Sequence, residues 1–394
     1  MVAAGCVRPD ASREPLNATF PQTRPVMTDF AFALEPDGLL LHSPDGVSRR
    51  FPWLWLRDNE PAAFHPVTQE RSFDLLSVPP DIFPERAEMR DGEILIHWPD
   101  LPGPCAYRLD WLLARAPGRR RPDPADIAPV AWADDHAVAR FEAAALAGDE
   151  GLGRMLSQLK RDGLVVIGGL DGDEEGVALG QRIGFLRETN FGVIFEVVSR
   201  PDPNNQAYTH DELGLHTDLP NQHLVPGYQF LHCLANEATG GDSVFADGFR
   251  ILEDLRAAAP AAFRLLAEVD VPFRFRDRET DLRIRRPLVE PDAAGRPVRL
   301  AFNPGILDIV DMESGIVGDW YRAYRSLKAL VDSHSRRLQL RLKSGEMAVF
   351  DNSRILHGRT AFDPNTGRRR LRGYYIDRGE LDSRIRVLHG AQFE

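Results

Sequence analysis

Cysteine is scarce in this sequence: 394 residues hold three, Cys6, Cys105 and Cys233. They are odd in number, far apart and form no C-x-x-C pair. That pattern suggests neither a disulfide framework nor a thiolate zinc site, and it fits a reducing cytoplasm. Long apolar runs are missing too. No stretch approaches the roughly 18 consecutive apolar residues of a membrane span. Residues 1–26 lack the apolar segment of a secretory signal; polar and Pro-bearing, they read as a disordered leader, with Met27 a candidate start just before the patterned sequence. Positive charge is in deficit, giving a net charge of −11. An acidic surface argues against nucleic acid as partner, because phosphate contacts need basic patches, and it suits a small cationic ligand through long-range attraction.

Apolar residues make up 43 % and charged residues 27 % of the chain, an ordinary globular balance with material for a sizeable core. Residues 27–114 read as a small β-rich N-terminal domain. AFALEPDGLLLHSPDG has the pattern of a hairpin, and GEILIHWPD alternates after a turn at Asp91-Gly92. Residues 115–136, rich in Pro, Arg and Asp, read as a linker. The triplet Arg119 to Arg121 within it fits a solvated turn better than a binding patch. Residues 137–394 then form the larger domain. Helical spacing runs over 137–162, 173–187, 249–268 and 318–333, LVVIGGL reads as a buried strand, and many short apolar runs separated by Gly, Pro, Asp and Asn follow. The fold class expected is mainly β with flanking helices.

His216-Thr217-Asp218 is the sharpest local signal. On an extended chain residues i and i+2 share a face, so an imidazole and a carboxylate can reach one metal ion. His357, just after the apolar strand Met347 to Phe350, supplies a second imidazole. Two His and one carboxylate leave open positions on the metal, the arrangement of Fe(II) enzymes that bind a cosubstrate and O2. A structural zinc site would close all four of its positions. The cluster RRRLRG, Arg368 to Gly373, offers a planar cation for the far carboxylate of 2-oxoglutarate.

Three blocks carry a resemblance: HTDLPNQHLVPGYQFLHCLANEATGGDSVFADGF, FDNSRILHGR and RRRLRGYYIDRGELDSRIRVL. With FPWLWLRDNE and IHWPD near the N-terminus, they resemble the γ-butyrobetaine and trimethyllysine dioxygenase group of the taurine-dioxygenase-like superfamily. The likeness runs from about residue 30 to the end. It implies a double-stranded β-helix (jelly-roll) catalytic domain, Fe(II), 2-oxoglutarate and O2, a quaternary ammonium substrate and a homodimer. It places the metal on His216, Asp218 and His357. Counting back from Gly373 puts the 2-oxoglutarate arginine on Arg369; counting forward from His357 puts it on Arg370. Ser243 falls on a position that assists the cosubstrate. A trimethylammonium group cannot donate hydrogen bonds, so ring faces are its partners, and the matching positions are Phe191, Phe195, Tyr208 and Tyr375. Asn205 and Asn303 match pocket-lining positions. The thiolates of the group's structural zinc are absent: Glu60 to His65 read EPAAFH and Pro102 to Cys105 read PGPC, so no structural zinc is expected.

The substrate this implies first is γ-butyrobetaine, hydroxylated to L-carnitine. A trimethylammonium phosphonate or trimethyllysine would need the same cage, and the Arg-rich segment 274–286 could serve a phosphonate or be an exposed strand and loop. A non-catalytic jelly-roll binding protein and a zinc hydrolase are the readings outside this chemistry.

Overall fold

The computed structural model describes residues 30–133, 136–199, 206–333 and 337–390. The chain divides into two compact units, Met1–Pro122 and Asp123–Glu394.

The first unit holds two three-stranded antiparallel sheets. One is built from β1 (Ala31–Glu35), β2 (Gly38–His42) and β3 (Ser48–Pro52), followed by α1 (Trp53–Asp58). The other is built from β4 (Arg86–Arg90), β5 (Glu93–His97) and β6 (Pro104–Arg108), followed by α2 (Leu109–Arg115). Leu39, Leu41, Ile94 and Ile96 alternate inward at period two and pack with Phe51, Trp53, Trp98 and Tyr107 in one apolar cluster. Cys105 is buried in that cluster, where burial first, then Glu60, pushes its thiol up to about 12. It behaves as a small core residue rather than a reactive one.

The second unit runs through β7 (Ala139–Glu142), α3 (Asp149–Asp162), β8 (Leu164–Gly168), α4 (Glu175–Ile183), β9 (Ile194–Val197) and β10 (Leu213–His216). It continues with β11 (Tyr228–Asn236), β12 (Thr239–Gly240), β13 (Ser243–Asp247), α5 (Gly248–Ala258), α6 (Pro260–Glu268), β14 (Val271–Arg276), β15 (Asp281–Arg286), β16 (Val289–Pro291) and β17 (Pro297–Leu300). Then come α7 (Ser314–Asp332), β18 (Leu338–Leu340), β19 (Met347–Asp351), β20 (Ile355–Arg359), β21 (Phe362–Asp363), β22 (Arg369–Ile376) and α8 (Arg378–Leu388). Two sheets dominate: six strands in the order β7-β8-β19-β11-β22-β9, and four in the order β10-β20-β13-β18. Every pairing in them is antiparallel except β7 with β8.

Period-two alternation explains how the layers hold together. In β8, Leu164 and Val166 join Phe245 of β13 and Phe350 of β19 in a cluster drawn from both sheets. Val165 and Ile167 face the other way, against Leu152, Met155 and Leu159 of α3 and Leu381 and Ile385 of α8. Likewise Ala246 and Leu356 of the four-stranded sheet pack against α5, α6 and α7 through Leu252, Leu266, Trp320 and Leu327. Their strand neighbours Phe245 and His357 point between the sheets, where the site lies.

Several boundaries differ from the sequence reading. Within the stretch 115–136, residues 123–133 are not a free linker. Ala125 is buried in the core of the second unit, and the buried Trp132 donates its indole N–H to the Asp162 carbonyl and its backbone N–H to Asp247. The large ring drives burial that Pro and Asp composition conceals. Phe141 begins no helix, because Ala139–Glu142 pairs in parallel with β8. The span 249–268 is two helices, interrupted at Ala259, since Pro260 cannot continue α5.

Asp247 ends β13, caps α5 through the Phe249 N–H, and accepts two hydrogen bonds from Arg354. Both side chains of the pair are essentially inaccessible. The Arg354 guanidinium also donates to the Arg161 and Val130 carbonyls. Asp247→Ala strands this buried cation, so a loss of about 3–5 kcal/mol is expected in urea unfolding. A loss under 1 kcal/mol would show that the pair is dispensable.

Candidate metal centre and adjoining cavity

His216 is the last residue of β10 and stands opposite His357 of β20 in the sheet register. Asp218 follows two residues on. Thr217 between them faces away, buried and exchanging hydrogen bonds with the Phe302 backbone. The turn after Asp218 is sharp enough to hold Leu219 at φ +55°, an unusual value for a γ-branched residue. Asn352 fixes it: its carboxamide accepts from the Asp218 N–H at 2.7 Å and donates to the Asp218 carbonyl at 3.0 Å.

The three side chains converge. His216 Nε2 lies 3.2 Å from Asp218 Oδ1, and His357 Nε2 lies 3.5 Å from Asp218 Oδ2. One donor atom from each falls within 4.8 Å of the other two. His216 Nδ1 is 2.9 Å from the Gly214 carbonyl. Donation there leaves the Nε2 lone pair pointing into the cluster, the usual orienting device for a metal-bound imidazole. Burial disfavours the imidazolium at both histidines. At His216 the Asp218 carboxylate outweighs it and raises the pKa; at His357 burial prevails and lowers it. Burial also opposes ionisation of Asp218, yet the two imidazoles hold its pKa well below the usual carboxylate range. Two neutral-capable nitrogens and one carboxylate suit a divalent first-row metal and leave the remaining positions free.

A cavity of about 560 Å³ opens onto this triad. On one side stand aromatic rings. Tyr375 donates its hydroxyl to Asp218 Oδ2 at 2.6 Å, and burial, then Asp218, raises its pKa so far that it stays a donor. Phe195 stacks on Tyr375 with centroids 5.4 Å apart. The same ring lies flat against Gly373, its strand partner, where a Cβ would come within 2.3 Å of it. Phe191 lies 6.5 Å from Phe195, and Tyr208 also lines the cavity. Phe275 of β14 adds a ring the sequence did not single out, edge-on to Phe191 at 5.4 Å.

On the other side stand cations. Arg369 is partly buried, lines the cavity and donates Nε–H to the Gly241 carbonyl at 3.2 Å. Burial, with the charge of Arg359 next, lowers its pKa to about 10. Gly241, at φ +76°, would crowd the Arg369 side chain with any Cβ, at 2.8 Å from Nε. Arg370, the other candidate, points the opposite way on β22. It is half-exposed and paired with Glu196 and Asp173. Strand alternation therefore corrects the Arg370 assignment: it cannot face the cavity while Arg369 does.

The remaining expectations separate cleanly. Ser243 is buried and lines the cavity, opposite Arg359 in the register. Asn303 also lines it, but its carboxamide is engaged by the chain itself, donating to the Thr217 carbonyl and accepting from the Gly305 N–H. Asn205 lies outside the described residues. The Arg-rich segment 274–286 is a hairpin whose Arg274 pairs with Asp281 and Arg285 with Asp311, and its Arg274 and Arg276 line the cavity. Asn352, Phe275, Arg359 and the buried carboxamides Asn221 and Gln229 line or brace the site without having been foreseen. Asn352 and Arg359 both sat in the quoted block FDNSRILHGR; only the fold shows what they hold.

The family model for taurine catabolism dioxygenase TauD, TfdA family matches residues 128–375. A γ-butyrobetaine dioxygenase from Pseudomonas sp. (strain AK-1) is 38 % identical over 94 % of this chain and 98 % of its own. A mitochondrial trimethyllysine dioxygenase from Gallus gallus is 28 % identical over 94 % of this chain and 91 % of its own. Among solved structures, an asparagine oxygenase in complex with Fe(II), a hydroxyasparagine and succinate aligns with 59 % of this chain and 82 % of that one, at 20 % identity and a TM-score of 0.48. The chain belongs to the TauD/TfdA dioxygenase family. It is a 2-oxoglutarate-dependent dioxygenase, with a His-Asp-His cluster suited to iron. Among the described residues no helix is long and apolar enough to cross a membrane.

Proposed function

We propose that this enzyme hydroxylates an unactivated C–H bond of a trimethylammonium substrate, most directly γ-butyrobetaine to L-carnitine. The observation that carries the reading is the aromatic wall of Tyr375, Phe195, Phe191 and Tyr208 beside the triad, in a cavity whose other end is cationic. A quaternary ammonium group finds its partners in ring faces and is repelled by the Arg359 and Arg369 guanidinium groups, which favours the ring wall; Arg274, paired with Asp281, and Arg276 also line the cavity. The Pseudomonas relative, named for γ-butyrobetaine, supports the particular substrate.

In this reading the catalytic unit is a jelly-roll and the N-terminal unit a separate small domain. His216, Asp218 and His357 hold Fe(II). Bound iron, with 2-oxoglutarate and O2, supplies the oxidising power for C–H hydroxylation. Arg369 fixes the far carboxylate of 2-oxoglutarate, assisted by the Ser243 hydroxyl. Tyr375 has two tasks: its ring face meets the ammonium group and its hydroxyl steadies Asp218. The rings therefore place one carbon over the metal while excluding water, which is how positioning becomes rate. A cytoplasmic homodimer belongs to the same proposal; sedimentation at a mass twice that of the chain checks the dimer.

The test is turnover. Protein loaded anaerobically with Fe(II) and 2-oxoglutarate is given O2 with γ-butyrobetaine, its phosphonate analogue or trimethyllysine, and succinate and hydroxylated product are measured by mass spectrometry. Succinate matched by L-carnitine supports the substrate; product from another trimethylammonium compound alone moves the reading to that compound. Phe195→Leu removes one ring face. At about 1–2 kcal/mol for a desolvated cation–π contact, KM for γ-butyrobetaine should rise roughly tenfold while KM for 2-oxoglutarate stays put. An unchanged KM would remove Phe195 from the cage.

A further inference from the structure

Two guanidinium groups, the buried Arg359 and the partly buried Arg369, share the cationic end of the cavity, and the reading above uses one. Arg369 and Arg359 both lie against Phe362, with Cζ 5.4 and 4.9 Å from the ring centroid. Neither has an ion-pair partner among the described residues. Burying one unpaired charge is unfavourable, and two side by side repel each other as well. Arg369 is accounted for by the far carboxylate of 2-oxoglutarate. Arg359 is not.

Its placement is specific. Arg359 lies two residues after His357 on β20, so both side chains face the cavity, and in the register it stands opposite Leu213 on one side and Ser243 on the other. It is 5 % exposed. Its Nη1 donates to the Ala207 carbonyl, and its Nη2 to the carbonyls of Thr209 (3.0 Å) and Asp211 (2.6 Å). One guanidinium thus gathers three carbonyls of the segment that carries Tyr208. Its Nε is buried with no hydrogen-bond partner. Carbonyl dipoles orient and partly stabilise the cation but do not neutralise it. A latch with no electrostatic task could have been an uncharged donor or an ion pair; this one keeps in the cavity a charge that the exposed Asp211 carboxylate attracts without forming an ion pair with it.

We propose that Arg359 is a positioning residue that serves both reactants: its hydrogen bonds hold the 207–211 segment, with Tyr208, against the His357 strand, and its charge, which no ion pair neutralises, joins Arg369 in the cationic end that the 2-oxoglutarate carboxylate neutralises. The proposal rests on the cosubstrate and trimethylammonium reading above. It has a thermodynamic consequence. The group that holds the Tyr208 segment is less unfavourable to bury once an anion lies beside it. Occupancy of the cosubstrate site therefore tightens the ammonium site, and by linkage the reverse holds by the same factor.

The experiment is calorimetric titration under anaerobic conditions of the Fe(II)-loaded protein with 2-oxoglutarate, and with γ-butyrobetaine in its presence and absence. In the unaltered protein γ-butyrobetaine should bind about tenfold tighter with 2-oxoglutarate present, inside the usual range of coupling between sites. Arg359→Lys keeps the charge but lacks the fork that reaches three carbonyls. It should hold 2-oxoglutarate within about threefold of the parent, lose the coupling, and release succinate in excess of hydroxylated product under O2. Arg359→Gln should likewise lose the coupling and release excess succinate, but it should also weaken 2-oxoglutarate at least about tenfold, in the range for losing a charged partner at a buried carboxylate. A merely structural arginine would lower Tm in both variants and leave the ratio of succinate to product at one. Equal γ-butyrobetaine affinity with and without 2-oxoglutarate in the unaltered protein would overturn the proposal, and needs no variant to fold. So would an Arg359→Gln protein that binds 2-oxoglutarate like the parent. If γ-butyrobetaine does not bind in either state, the substrate reading fails instead, and the 2-oxoglutarate titrations, which do not use it, still decide the role of Arg359.

Discussion

His216→Ala is expected to silence the enzyme: no 2-oxoglutarate consumed, no succinate formed, and no iron retained after desalting. The size of the effect follows from geometry. Three protein atoms within 4.8 Å of one another make the site, so each is one of only three ligands that this cluster offers the metal. Losing an orienting partner one step removed costs metal affinity roughly 10–100-fold. Losing a ligand should exceed that. Asn352→Ala provides the internal scale. It removes the clamp on the Asp218 backbone without touching a donor atom, and should fall in the smaller range. The fold should survive His216→Ala, because that side chain stands at the cavity wall rather than within any of the apolar clusters. An unchanged far-ultraviolet spectrum with lost iron is the expected pair of results. Wild-type rates of 2-oxoglutarate consumption by His216→Ala would remove this triad from the chemistry altogether.

The triad was legible because its information is local. Residues i and i+2 of an extended strand share a face whatever else the chain does, and His216 and Asp218 need nothing more to point together. His357 could be named for its place after an apolar strand, and the register of β10 against β20 brings it into contact. Four of the cavity's rings were legible for a different reason: Phe191, Phe195, Tyr208 and Tyr375 came from resemblance, and all four line the cavity. Phe275 and Arg359 needed the fold itself. Phe275 reaches the cavity only because β14 folds back with β15, and Arg359 reaches the Tyr208 segment only through pairings about 150 residues apart in sequence. Trp132 shows the opposite failure, where composition spoke for a linker and one large ring overruled it. Local rules name which side chains share a face; the partner across the sheet is a long-range fact.

Arg369→Gln should raise KM for 2-oxoglutarate by roughly thirtyfold to a thousandfold or more, the equivalent of about 2–5 kcal/mol for removing one partner of a buried charge pair. Arg370→Gln, one residue on, should change it less than about threefold, since exposed ion pairs such as those of Arg370 with Glu196 and Asp173 contribute about 0–1 kcal/mol. The contrast rests on the alternation of β22, which sends neighbouring arginines to opposite faces. Stability supplies the second half of the test. Arg369 holds a charge in the cavity with no ion-pair partner among the described residues; Arg359 repels it more than the Asp242 carboxylate attracts it. Replacing it by a neutral side chain of similar reach relieves that repulsion, so Tm should hold or rise while activity collapses. Cosubstrate then inverts the order. At a hundredfold excess over Kd, 2-oxoglutarate should stabilise the parent by about 2.7 kcal/mol and scarcely stabilise Arg369→Gln at the same concentration. A variant that lost activity and stability together would mark Arg369 as part of the scaffold. A variant that lost only its response to 2-oxoglutarate would identify a charge kept bare in the cavity so that the cosubstrate can complete it.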